Sequence, residues 1–190
     1  MFYRIIGLIV DVAGGLLVGA CLLRLWMQQL RINARNPVGT FVMALTDWIV
    51  KPLRRLLPGY AGVDWGSLVA AFLLSLAAAL IVLIGAHIAI GSPGLPSLFL
   101  LVGLALAWMA KWALYMIQLV VVIAAVLSWI NPFSPFLPVF DALTVPLLRP
   151  LRRVLPPVGR VDLSPLVLIV LIQIALLVVG TISQNVLGTF

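Results

Sequence analysis

The chain has 190 residues, of which 64% are hydrophobic and 9% charged, with a net charge of +7 and a mean hydropathy of +1.27. A soluble globular chain carries roughly 25% charged residues, so this composition excludes one and points to a single compact membrane domain. Nine of the twelve basic residues fall within 31–62 or 131–161, the placement of basic loops between apolar spans rather than of a nucleic-acid-binding surface.

Residues 5–30 form the first apolar stretch, long enough for a hydrocarbon core that needs about 20 residues. Gly14, Gly15 and Gly19 would let another helix approach closely. Arg24, near the exit, can snorkel toward the head groups. Val18-Gly19-Ala20-Cys21 superficially resembles a lipoprotein cleavage site, but Asp11 interrupts the apolar region and Leu22-Leu23 follow, so the span is expected to stay uncleaved. Cys21 is the single cysteine, which excludes an intrachain disulfide.

Asn36-Pro37 reads as a helix start, followed by Phe41, Leu45 and Trp48 or Ile49 at helical spacing. Lys51-Pro52 is expected to break that helix, with Pro52 opening a second short turn that ends at Pro58. Two short amphipathic pieces in the membrane interface are the expected result, with arginines toward lipid phosphate. Asp64 is placed as an N-cap of the second span, Leu68 to Ile90, and 91–96 is an uncharged breaker on the opposite side.

The 34 residues from Ser97 to Ile130 exceed one span but fall short of two spans and a turn. Either one long helix projects from the bilayer, or Leu98 to Ala107 dips in and returns. Residues 131–161 then repeat the interfacial pattern with more proline. Asp162 caps a fourth span from Leu163 to about Leu187, where Pro165 is tolerated because first-turn amides have no intrahelical partner.

Residues 44–69 and 142–167 align without a gap at an offset of 98, with 13 of 26 positions identical. Such a repeat governs the fold. The chain is expected to be an all-α membrane protein with four transmembrane helices in two parallel repeats, each helix, interfacial amphipathic hairpin, helix. The repeats are 1–92, with hairpin 31–62, and 97–190, with hairpin 131–161. An even number of spans per repeat gives both copies one orientation. Positive-inside bias then puts both basic connections in the cytoplasm and both termini outside.

The arginine pairs Arg54-Arg55 and Arg152-Arg153 have three readings. They set topology and anchor on anionic lipid phosphate, or join an internal network in which Asp64 or Asp162 receives an arginine, or bind a ligand or ion. Asp64 and Asp162 read in the first place as helix caps. Asp11, Arg24 and Lys111 are charges in or near spans, where a lone charge is costly. Asp11 and Arg24 lie about 19 Å apart along one helix and cannot pair within it. Asp11 and Lys111 both belong to the outer halves of their spans, where they either meet or sit separately as solvated interface charges. His87 stands alone and, with one cysteine and no glutamate, makes no recognisable metal site. Gln118, Gln173 and Gln184 read as interhelical glue. No cofactor is implied, and no nucleophile–base arrangement can be assembled.

The runs Leu23-Arg24-Leu25-Trp26-Met27-Gln28, Asn36-Pro37, Pro52-Leu53-Arg54-Arg55-Leu56-Leu57-Pro58 and Val63-Asp64 resemble the bacterial YggT family. So do Ser128-Trp129, Pro150-Leu151-Arg152-Arg153-Val154-Leu155-Pro156 and Val161-Asp162-Leu163-Ser164-Pro165. The resemblance implies a small inner-membrane protein of two repeats. Bacterial members are tied to osmotic tolerance and potassium homeostasis, and chloroplast relatives to haem attachment and nucleoid organisation. It carries over no catalytic residues. Two functions remain open: a non-enzymatic assembly or scaffold factor, docking lipid, a membrane protein or a second copy, and an oligomeric ion channel or transporter component.

Overall fold

The computed structural model describes residues 2–57, 59, 62–90, 97–154 and 162–188. Six helices follow one another: α1 (Phe2–Gln29), α2 (Pro37–Leu56), α3 (Trp65–Ile90), α4 (Leu98–Ile130), α5 (Leu137–Val154) and α6 (Ser164–Gly188). The breaker at 91–96 and the side chain of His87 lie outside the described residues. The order long helix, amphipathic helix, long helix occurs twice. α1, α3, α4 and α6 are long and apolar enough to cross a membrane.

Each boundary has a local cause. α1 ends in a Schellman motif: the Ile32 N–H donates to the Met27 carbonyl at 2.9 Å and the Arg31 N–H to the Gln28 carbonyl at 3.0 Å. Arg31 occupies the left-handed position of that motif, at φ 54°. α2 begins where Asn36 Oδ1 accepts the Gly39 N–H at 2.8 Å, with Pro37 in the first turn.

The expected break at Pro52 does not occur. α2 continues through Pro52, and α5 through Pro146 and Pro150. A proline inside a helix costs about 3 kcal/mol because it loses one backbone bond and crowds the carbonyl four residues back. All three prolines lie on exposed faces, where the freed carbonyls can reach water or head groups. Opposite them, Gly39, Val42, Thr46 and Val50 of α2 and Phe140, Leu143, Thr144 and Leu148 of α5 are buried. Packing of those stripes outweighs the local cost, so each interfacial segment is one amphipathic helix rather than two pieces.

α4 settles the region from Ser97 onward as one helix of 33 residues, about 50 Å at 1.5 Å per residue. It therefore overhangs or tilts in a core of about 30 Å, and Leu98 to Ala107 does not turn back. α1 and α3 meet through small side chains, with Val18 and Cys21 against Ala70, Ala71 and Ala78, as lipid-embedded helices do when close approach replaces the hydrophobic drive. α4 packs against α1, α3, α5 and α6. Leu8, Ile9, Val12 and Leu16 of α1 and Leu166, Val170, Ile174 and Leu177 of α6 face outward. Apolar surface on that scale marks contact with a membrane.

Candidate functional site

The end of α2 and the start of α3 are fastened by one side-chain network. Asp64 immediately precedes α3 and accepts the Ser67 N–H at 3.2 Å, the N-cap bond that satisfies a first-turn amide. The same carboxylate receives the Ser67 hydroxyl and both Nε, at 3.0 Å, and Nη2 of Arg54. This is the planar two-pronged geometry that a guanidinium offers a carboxylate. Arg54 Nη2 also donates to Gln28 Oε1 of α1 at 3.0 Å, so one arginine of α2 links α1 to the aspartate that caps α3.

Gly66 makes the approach possible. A Cβ there would stand 2.7 Å from Arg54 Cγ and 3.3 Å from the Arg54 backbone nitrogen. Asp64 is 1% exposed. Burial pushes its carboxyl up, but the bonds from Arg54 and Ser67 together outweigh that and hold it below the ordinary carboxylate range.

The second copy makes the same connection more loosely. Arg152 Nε donates to Asp162 Oδ2 at 2.8 Å, and the Ser164 N–H to Asp162 Oδ1 at 2.9 Å. The side chains are 49% and 35% exposed. α6 starts at Ser164 rather than Leu163, so Asp162 stands one residue further from its helix than Asp64 does from α3. Burial again pushes the carboxyl up, and the bonds from Ser164 and Arg152 bring it below its ordinary range.

Each arginine pair is thus divided. Arg54 and Arg152 are clamped to aspartates, while Arg55 and Arg153 are exposed. Neighbours on a helix point about 100° apart, so both members of a pair cannot face one partner. Arg55 and Arg153 have no ion-pair partner among the described residues.

Arg24 does not snorkel. It is 8% exposed, and its Nη1 donates to Thr46 Oγ1 at 2.9 Å and Asp47 Oδ1 at 2.8 Å on α2. Lys51 Nζ holds the other oxygen of Asp47 at 2.7 Å. The bond from Lys51, with those from Arg24, lowers the Asp47 carboxyl against its desolvation. The amphipathic helix brings a carboxylate and a hydroxyl within reach of α1, the partners that a buried guanidinium requires. Sequence reasoning missed Asp47, Thr46 and Gln28. The Asp47–Lys51 spacing of four was a legible sign of a charged helix face, but nothing local marked α1 as the third party.

Toward the other ends of α1 and α4, Lys111 Nζ meets Asp11 Oδ1 at 2.5 Å, and the Trp112 indole donates to the same oxygen at 3.1 Å. Lys111 also lies 5.4 and 5.5 Å from the Trp108 and Trp112 ring centres, within cation–π range. Trp112 is buried against Gly14 and Gly15, where Cβ atoms would come within 2.7 and 3.2 Å of its ring. Gln173 of α6 donates to Gln118 of α4 at 3.2 Å. The Trp26 indole donates across the repeats to the Leu143 carbonyl of α5 at 3.3 Å. Among the described residues, no three His, Cys, Asp or Glu side chains are grouped to hold a metal.

Four apolar helices of spanning length, joined in pairs by clamped amphipathic helices, define a multi-pass helical membrane protein. The model of the CCB3/YggT family matches residues 3–85 and 103–183, and the chain belongs to that family. It is 34% identical over 166 residues to "Uncharacterized protein YggT" of Escherichia coli K12, covering 86% of this chain and 82% of that one. A Vibrio alginolyticus relative, "Uncharacterized protein in proC 3'region", is 34% identical over 163 residues, 85% of each chain. An uncharacterized protein of Haemophilus influenzae is 35% identical over 147 residues, 77% of this chain and 75% of its own. No solved structure matches the chain.

Proposed function

We propose that the protein is a non-enzymatic scaffold or assembly factor of the bacterial inner membrane, supporting membrane and osmotic homeostasis. The observation that carries this reading is the division of the two arginine pairs. In each copy one arginine pins the amphipathic helix to the next long helix, which leaves its neighbour, Arg55 or Arg153, presented outward. Two such helices, in halves 1–92 and 97–190, form a rigid basic surface. Its partners are anionic lipid head groups and a membrane protein or second copy of the chain, not nucleic acid. Positive-inside bias puts this surface in the cytoplasm and both termini in the periplasm.

Polar side chains of the spans support packing over a conducting lining. The hydroxyls of Ser75, Thr181 and Ser183 donate to carbonyls four residues back on their own helices, and Gln118 pairs with Gln173. The test is complementation of a deletion strain after osmotic upshift. The wild-type gene restores growth, and the double variant Arg55→Ala/Arg153→Ala, inserted to the same level, does not. Equal rescue by the variant, or potassium flux through vesicles reconstituted with the purified protein, sinks the reading.

A further inference from the structure

An open cavity of about 280 Å³ lies between the last turns of α1, the connection that follows, and α2. Its size is near the lower end of the roughly 300–1,000 Å³ typical of small-ligand sites. Three arginines line it: Arg24, Arg31 and Arg54, with Gln28 beside them. Three guanidiniums around so small a volume repel one another unless anions intervene. Two carboxylates do so from behind. Asp47 holds Nη1 of Arg24, and Asp64 holds Nε and Nη2 of Arg54. These bonds fix the forks and leave Nη2 of Arg24 and Nη1 of Arg54 without a protein partner among the described residues. Because Asp47 is shared with Lys51, the two carboxylates face four cations and two positive charges are in excess.

One of these two charges belongs to Arg31, which lines the cavity itself. No acidic side chain among the described residues pairs with it, and its backbone is the second observation. Arg31 holds the left-handed position of the motif that ends α1, at φ 54°, and is the one non-glycine at positive φ among the described residues. Glycine fits that position without strain, whereas a side chain there is disfavoured by its own Cβ. A strained residue that also contributes an unpaired charge to a cavity is a mark of binding rather than of packing.

We propose that this cavity binds a phosphate group, with Arg31 as the neutralising charge and Arg24 and Arg54 as pre-oriented donors. Guanidinium is the side chain suited to phosphate oxygens, because its fork gives two parallel bonds and is weakly hydrated. The site is separate from the outward Arg55 and Arg153 and does not depend on the scaffold reading. The cavity borders the amphipathic helix, so the phosphate comes either from a lipid head group or from a soluble ion.

The experiment uses the full-length protein in phosphatidylcholine nanodiscs and reads the thermal unfolding midpoint. One arm adds phosphatidic acid to the disc, and the other titrates inorganic phosphate at constant ionic strength. Wild type is expected to be stabilised in at least one arm: the lipid arm alone assigns a head group, and the soluble arm assigns a free phosphate. Arg31→Gly, which suits the left-handed backbone and should fold at least as stably, is expected to weaken the response at least ten-fold. Arg35→Ala, an exposed charge of the same connection outside the cavity, should respond as wild type does. The proposal is overturned if neither probe stabilises wild type, if Arg31→Gly keeps the response, or if Arg35→Ala loses it equally.

Discussion

The two copies of the proline–arginine block contain the same clamp in different surroundings. In the first, Gly66 lets α3 slide under Arg54, Ser67 adds a hydroxyl, and Gln28 closes the far side, so Asp64 is almost fully buried. In the second, Ser164 and Pro165 stand at the positions of Gly66 and Ser67, and the Asp162 pair stays half open. A second ion pair, Arg24 with Asp47, ties α1 to α2. With Trp26 set against Trp129, Arg24 corresponds to Leu127, and at the offset of 98 Asp47 corresponds to Val145; both counterparts are apolar. Sharing of the motif therefore fixes which groups bond, while the neighbours decide whether water reaches them. That decides how much each bond contributes, since an exposed pair contributes little and removing one partner of a buried pair is costly.

The largest break in this comparison is Asp64→Ala. It strands Arg54 and uncaps α3, and is expected to destabilise the protein by about 3 kcal/mol, whereas Asp162→Ala costs about 1 kcal/mol or less. Equilibrium unfolding in mixed micelles measures both, and equal losses would erase the distinction. Next, Asp47→Val leaves Arg24 buried without its carboxylate and should cost about 2 kcal/mol. Adding Arg24→Leu, which imports the apolar pair of the second copy, should recover most of that, and a double-mutant cycle reads the coupling. Third, Gly66→Ser drives a Cβ into Arg54 and is expected to cost about 1–2 kcal/mol. The reverse change, Ser164→Gly, removes a fully buried side chain from the first turn of α6 and should cost about 0.5–1 kcal/mol.

The gentlest break is acid. The Asp47, Asp64 and Asp162 carboxyls all lie below their ordinary value of 3.8 in the fold. Below pH 3.8 the unfolded chain then takes up protons that the folded chain refuses, so stability falls as pH falls. Between pH 8 and 5 these groups contribute their full stabilisation. Unfolding midpoints against pH should be flat there and decline below about pH 4. Asp64→Asn should flatten that decline more than Asp162→Asn does.

Part of this was legible in the residues themselves. Apolar runs of spanning length fixed the long helices, because a bilayer demands about 20 apolar residues whatever the neighbours are. Asn36-Pro37 started α2, and Asp64 capped α3, because caps are local bonds reached within three residues. The spacing of ten between Arg54 and Asp64 allowed the clamp without choosing it over lipid phosphate.

The tertiary structure decided the rest. Pro52, Pro146 and Pro150 read locally as breakers, but a buried stripe on the far side of each helix kept α2 and α5 whole. Arg24 read locally as a snorkelling charge, and only the packing of α2 against α1 supplied Asp47 and Thr46. Arg54 and Arg55 are equivalent in sequence, and the fold alone gave one to Asp64 and the other to the surface. Sequence sets what a residue can bond within a turn or two of its own chain. Which of several competent partners arrives first at bonding distance is a property of packing between helices, and that is where the two copies of one motif parted.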